Sequence, residues 1–217
     1  MKPTCQTMTL KPGKEKRILE GEFWIYAGEI ADSLDRYQPG ETVVLLSSKK
    51  SELGMGYVNP LSTIAFRLLD RNPAATFDED MLKKRIEDAD RQRRSIRPTE
   101  RFYRMVYSEA DFMPGLVVDR YDNHLVVQIT TAGMDKVRTA IFSALADLYP
   151  KAVLIEKAIR TPRIKEGLDE VNRIVSGDSS VVRIDINGVK IETDLLGGQK
   201  TGFFLDQRDN YRLLDQI

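Results

Sequence analysis

Apolar residues recur along this chain with two different spacings, and the switch between them divides it into strand-like and helix-like stretches. Alternating or short continuous apolar runs fall at 7–10, 42–46, 53–59 and 63–69, each bounded by turn residues. They predict four short strands. Gln38-Pro39-Gly40-Glu41 has the proline and following glycine of a β-turn, and 47–51 supplies a second, polar turn. Between the first two strands, 13–20 reads as a short basic helix and 21–30 as an aromatic stretch leading into a strand. Short strands joined by tight turns predict a small β-barrel over residues 1–72.

The pattern then changes. Pro73 stops the preceding strand, and Asp78 is placed to cap a helix running to about Ile96, with Met81, Leu82, Ile86 and Ala89 on one face. A strand is predicted at 102–107 and a loop with a Pro-Gly turn at 108–115. A hairpin follows, with strands 116–121 and 124–129 joined across Asp122-Asn123. Thr131 is placed to cap a helix of about 134–148, with Val137, Ile141, Leu145 and Leu148 at helical spacing, and 152–156 reads as a buried strand. Asn187-Gly188 joins a second hairpin, 181–186 with 189–193. Phe203, Phe204 and Leu205 read as a short buried strand. Asp206 to Asn210 then form a polar lead-in, where Asp206 or Asp209 would cap a helix starting near Tyr211. The fold class is α+β, divided as 1–72, a middle α/β unit over 73–195 that opens with a basic helix, and a terminal segment 196–217.

The chain has 217 residues, 41% hydrophobic and 30% charged, enough apolar content for a core of this size. No apolar run is long enough to span a membrane, and Met1 to Cys5 lack the core of a signal peptide. One cysteine, Cys5, excludes an internal disulfide and fits a reducing cytoplasm; with one histidine, His124, it also argues against a zinc site. His124 reads as an exposed or cross-strand residue rather than a base. Net charge is zero, from 33 basic and 33 acidic residues, which is not the bulk signature of a nucleic-acid binder. Its distribution is uneven. Lys83, Lys84, Arg85, Arg91, Arg93, Arg94, Arg97, Arg101 and Arg104 stand against Glu87, Asp88, Asp90 and Glu100. Such a run either contacts phosphates or is a solvated face laced with i,i+4 pairs. Lys14, Lys16 and Arg17 carry the same two readings, and Trp24 is either a stacking residue or core.

The densest chemistry is 197–210. Gly-x-x-Lys-Thr is not a nucleotide P-loop: Gln199 precedes Lys200, and the sequence after Thr201 is aromatic rather than helical. The run Gln199-Lys-Thr-Gly-Phe-Phe-Leu-Asp-Gln-Arg-Asp-Asn210 instead resembles the segment before the Rossmann-type catalytic domain of S-adenosylmethionine (SAM)-dependent rRNA cytosine-C5 methyltransferases, of the large-subunit type with an N-terminal PUA domain. Ser108-Glu-Ala-Asp-x-x-Pro-Gly-Leu-Val-Val-Asp-Arg-Tyr121 is similar to the signature of that family's β-β-α-β-β middle domain. The first 72 residues resemble its PUA domain through Trp24, Gly28, Gly40 and Gly56.

The resemblance implies that Lys200, Thr201, Gly202, Phe204, Asp206, Gln207 and Arg208 border the cofactor pocket: Gly202 for loop closure, Phe204 for apolar packing, and Asp206, Gln207 and Arg208 for polar positioning. It implies ribosomal RNA as partner, contacted by Lys14, Lys16, Arg17, Trp24, Arg91, Arg93, Arg94 and Arg97. A basic loop is implied at Lys157, Arg160, Arg163 and Lys165. Cytosine-C5 transfer needs a thiolate that adds to the base and a glycine-rich Rossmann turn. Neither is found in residues 1–217, so no catalytic and no metal-binding residue is assigned. The chain is expected to be the front portion of such an enzyme, inactive alone, with its catalytic domain beyond Ile217. A stand-alone PUA-type RNA-binding or adaptor protein is the alternative, and a homodimer is left open.

Overall fold

The computed structural model describes residues 6–158, 160–186 and 189–207. A first five-stranded sheet contains β1 (Gln6–Thr9), β2 (Trp24–Ile25), β3 (Glu41–Leu46), β4 (Glu52–Val58) and β5 (Phe66–Asp70), in the order β1-β3-β4-β5-β2. Only β1 and β3 run parallel. Leu10 bridges Ile30, with Lys11 N–H donating to Glu29 O and Ala31 N–H to Thr9 O. The segment after β2 therefore returns to β1 and covers the open edge of the sheet. The basic helix is shorter than expected, with α1 spanning Glu15–Leu19.

α2 (Glu79–Ile96) starts where the sequence placed it, because the Asp78 carboxylate accepts from Met81 N–H at 3.0 Å. The second sheet has the order β10-β9-β8-β7-β6. β6 (Phe102–Tyr107), β7 (Leu116–Tyr121) and β8 (His124–Ile129) are antiparallel, and β9 (Val153–Ala158) is parallel to β8 after a helical crossover. That crossover is broken into α3 (Ala132–Lys136) and α4 (Arg138–Leu148) at Val137, whose φ of −103° and ψ of 17° leave the helical region. Thr131 stands at the cap position of α3 but does not cap it. Its hydroxyl bonds Pro114 O and the Tyr57 hydroxyl instead. The short helix α5 (Arg160–Ile164) and the edge strand β10 (Val171–Ser176) were not legible in the sequence. β11 (Val181–Ile186) and β12 (Val189–Asp194) form the expected hairpin, whose Asn187-Gly188 turn lies outside the described residues.

The middle strands are buried on both faces, which explains their continuous apolar runs. Leu125, Val127 and Ile129 point into a core with Leu82 and Ile86 of α2 and Ile141 and Leu145 of α4. Their alternate, Val126, joins Tyr121 and Ile155 on the opposite face, covered by Val182, Ile184 and Leu195. The first core also takes in Met55, Tyr57 and Leu69 from the first sheet. The two units therefore share a hydrophobic interior across the Pro73 boundary.

Gly133 is required at this junction. A Cβ there would lie 2.2 Å from the Tyr57 ring, whose hydroxyl donates to Pro114 O at 2.7 Å. We expect Gly133→Ala to cost ~1–3 kcal/mol through overpacking. Gly28→Ala, where a Cβ meets nothing within 4 Å, is the control. Equal shifts in urea midpoint for the two variants would disprove this account.

Candidate cofactor-bordering cleft

The site is built on one cross-strand pair. Arg104 of β6 lies opposite Asp119 of β7, and its guanidinium grips the fully buried carboxylate at 2.8 and 3.0 Å. A buried carboxylate is tolerated only when its lone pairs are taken up. Here the remaining donor comes from about 80 residues away: the Thr201 hydroxyl donates to Asp119 at 2.6 Å. The Tyr121 hydroxyl, two residues along the same strand face, lies 3.0 Å from Thr201 Oγ1 and accepts from Phe203 N–H at 3.3 Å. Burial pushes the Tyr121 hydroxyl up to about 12, so it remains a neutral phenol. These bonds dock the Lys-Thr-Gly-Phe run on the sheet.

The turn that brings the run there depends on backbone freedom. Gly202 has φ +116°, and a Cβ there would come within 2.5 Å of the Leu195 side chain. Lys157 on β9 holds the preceding loop by donating to Leu195 O at 2.8 Å and to Gly198 O. Burial lowers its pKa below the usual lysine range. Phe203 to Leu205 do not form the expected buried strand. The chain turns at Phe203, whose amide donates to the Tyr121 hydroxyl rather than to a strand carbonyl, and enters a 3-10 turn, Leu205–Gln207. Phe204 is exposed rather than packed.

A cleft of about 400 Å³ results, with Arg104, Tyr107, Asp119, Lys200, Thr201 and Asp206 among its lining residues. Of the resemblance-derived residues, Lys200, Thr201 and Asp206 line it, and the set separates into two groups. Thr201 and Gly202 are structural, one spent on Asp119 and the other on the turn. Lys200 and Asp206, 4.0 Å apart, offer opposite charges to the cleft, and the Lys200 ammonium sits 4.4 Å from the centre of the Phe204 ring. Gln207 is exposed at the end of the 3-10 turn, and Arg208 lies outside the described residues. Asp119, Tyr121 and Lys157 are the residues that sequence reading missed as a set. Their only local signal was a charged or hydroxyl-bearing residue inside an apolar strand.

The expected RNA-contacting cations sit among carboxylates. On and after α2, Lys83, Arg85, Arg91, Arg93, Arg94, Arg101 and Arg104 each pair with a carboxylate. Arg93 is the clearest case, held bidentately by buried Asp111. Arg97, the C-cap of α2, donates its backbone N–H to Arg93 O. Lys14 pairs with the buried Glu29 at 3.8 Å, and Lys16 and Arg17 pair with the exposed Glu20 and Glu22 at 3.5 and 3.8 Å. Trp24 is half-buried, and its indole N–H donates to Glu109 at 2.7 Å, tying the first sheet to the turn after β6. The implied basic loop is corrected at Arg163, which is 2% exposed and donates to the Ile129 and Asp169 carbonyls and to Asp135.

His124 is a cross-strand residue opposite Tyr121 and Val153, and burial lowers its pKa below 6.5. Because the folded state binds that proton less tightly, its contribution to stability is present above pH 6.5 and is lost as pH falls below it. Comparing urea midpoints at pH 7.5 and 5.5, the fall should be smaller in His124→Gln. Equal falls would contradict the assignment. Among the described residues, no cluster of three or more His, Cys, Asp or Glu is arranged to hold a metal, and no helix is long and apolar enough to cross a membrane.

Residues 8–71 match the family model of a PUA-like domain. Over 214 residues the chain is 36% identical to ribosomal RNA large subunit methyltransferase I of Pseudoalteromonas atlantica, covering 96% of this chain and 54% of that protein. The Cronobacter sakazakii protein of the same name is 32% identical over 207 residues, covering 94% of this chain and 52% of the relative. The chain thus spans about half the length of the curated relatives it matches. Among solved structures, a SAM-dependent methyltransferase from Streptococcus mutans superimposes with a TM-score of 0.79 at 19% identity, covering 96% of this chain and 54% of that one. A methyltransferase complexed with SAH gives 0.79 at 18% identity, with 96% and 53% covered. At these identities the two structures establish a shared mixed α+β fold.

Proposed function

We propose that this chain is the RNA-recognition and cofactor-bordering portion of a cytoplasmic SAM-dependent methyltransferase that acts on cytosine C5 of large-subunit ribosomal RNA. The observation that carries the proposal is the docking of Thr201 on Asp119. It accompanies Lys200 and Asp206 in lining a cleft, with the Phe204 ring under the Lys200 ammonium, in a chain whose matched relatives are named rRNA methyltransferases. When bound, SAM supplies an electrophilic methyl group. Its amino-acid end carries both an ammonium and a carboxylate, which suits the paired charges of Asp206 and Lys200, while Phe204 offers an apolar ring. The lining given by residues 200–207 is one wall of such a site.

Methyl transfer needs more than this wall. Base activation by thiolate addition requires a cysteine at the site, and none lies among the described residues, since Cys5 is the chain's sole cysteine. Residues 1–217 alone should therefore bind an rRNA fragment without transferring methyl groups. Isothermal titration should show no SAM binding in the micromolar range. Micromolar SAM affinity would refute the one-wall assignment, and failure to bind any rRNA fragment would refute the RNA assignment.

A further inference from the structure

The aromatic side chains exposed among the described residues are Tyr26 at 38%, Tyr107 at 53%, Phe112 at 46% and Phe204 at 36%. Each has a cation over its ring. Arg17 lies 5.2 Å from the centre of Tyr26, Arg85 5.9 Å from Phe112, Arg104 5.0 Å from Tyr107 and Lys200 4.4 Å from Phe204. Every one of these cations is also tethered by a carboxylate: Arg17 by Glu22, Arg85 by Asp70, Arg104 by Asp119 and Lys200 by Asp206. The stations are thus preorganised and close to neutral, suited to stacking rather than to phosphate capture.

Contacts link the stations in sequence. Trp24, two residues before Tyr26, bonds Glu109 on the 3-10 turn Ser108–Asp111, and Phe23 meets the Phe112 ring edge-on at 5.4 Å. That turn begins beside Tyr107, which lines the 400 Å³ cleft together with Lys200 and Asp206. Phe112 borders a separate cleft of about 680 Å³ against α2, so both rings have open space beside them. The turn is strained at both ends, with Ser108 at φ +50° and Phe112 at φ +57°. Arg85 fixes the latter by donating to the Phe112 carbonyl at 2.6 Å. A bulky residue held in the left-handed region with its ring half exposed is the kind of strain that clusters at functional positions.

We propose that Tyr26, Phe112, Tyr107 and Phe204 form a stacking track for single-stranded RNA, leading from the PUA-like unit to the cleft at Lys200. This rests on the RNA reading above and adds that the strand is unpaired and is held by ring and guanidinium faces. Stacking of bases on aromatic side chains is tolerant of sequence and is strong enough per base to dominate such a surface.

The test is fluorescence anisotropy of a labelled mixed-sequence 12-nucleotide RNA, single-stranded and as a duplex, against the full 217-residue chain. Tyr107→Leu and Phe112→Leu keep the apolar surface and remove the ring; each should weaken single-strand binding about 10-fold. Tyr107→Phe and Phe112→Tyr should retain it, and the duplex should bind more weakly. Arg91→Ala with Arg94→Ala, on the exposed side of α2, should change affinity less than about 3-fold. The track is overturned if the leucine variants bind as wild type, if the duplex binds equally well, or if the α2 variant alone loses affinity. Absence of binding to either RNA would instead overturn the RNA reading itself. Circular dichroism melts of the same variants separate lost binding from lost folding.

Discussion

Replacing Glu166 by alanine should lower unfolding stability by about 3–5 kcal/mol, a large share of the total for a unit of this size. Glu166 is 4% exposed and is the convergence point of the two units. From the first, Asn59 Nδ2, Ser62 Oγ and Arg67 Nη2 donate to it at 2.8, 2.7 and 2.9 Å; from the second, Ala132 N–H donates at 3.3 Å. Removing the carboxylate strands a buried guanidinium that is otherwise held, among the described residues, by the Ile64 carbonyl at 3.0 Å. An uncompensated buried charge costs more than the pair contributes. The check is a cycle in urea: Glu166→Ala should cost far less in a chain already carrying Arg67→Met. Additive losses would show that the two side chains do not act as a pair.

The second large effect is local. Asp119→Ala removes the acceptor for both Arg104 and Thr201, and the exposed Arg104 can turn to water whereas the buried Thr201 hydroxyl cannot. With charged hydrogen bonds contributing ~1.5–3 kcal/mol each, the docked segment 195–207 should open roughly 10- to 100-fold more often. Tryptic cleavage after Lys200 should accelerate by that factor while the urea midpoint of the remainder moves little. Thr201→Val should reproduce a smaller part of the effect. An unchanged cleavage rate in Asp119→Ala would mean that the segment is held by its apolar contacts alone.

Both predictions concern groups whose significance is tertiary, and this is also where sequence reading stopped. Counting charges from 83 to 104 gave an excess of cations, because the carboxylates that neutralise them sit elsewhere: Asp70 before the helix, and Asp111, Asp119, Asp122 and Asp147 after it. The same blindness applies to Phe203–Leu205. Three apolar residues in a row describe a strand well, but the Phe203 amide is bonded to the Tyr121 hydroxyl, a side-chain partner 82 residues away that no local pattern reveals. Arg163 looked like one more cation in a basic loop, yet it is buried with carbonyl oxygens as its main partners.

What the sequence determined by itself were features that depend on neighbours within a few residues. The Asp78 cap and the apolar face of α2 belong here, as do the 116–129 hairpin, the continuous apolar runs of the central strands, and the glycine at 202. These follow from backbone geometry and the period of burial, which are local. Only the folded chain decided which charges are spent on one another, that the two units share one core, and that four exposed rings each carry a tethered cation. Those outcomes turn on pairings between residues up to about a hundred positions apart, and no local period in the sequence encodes them.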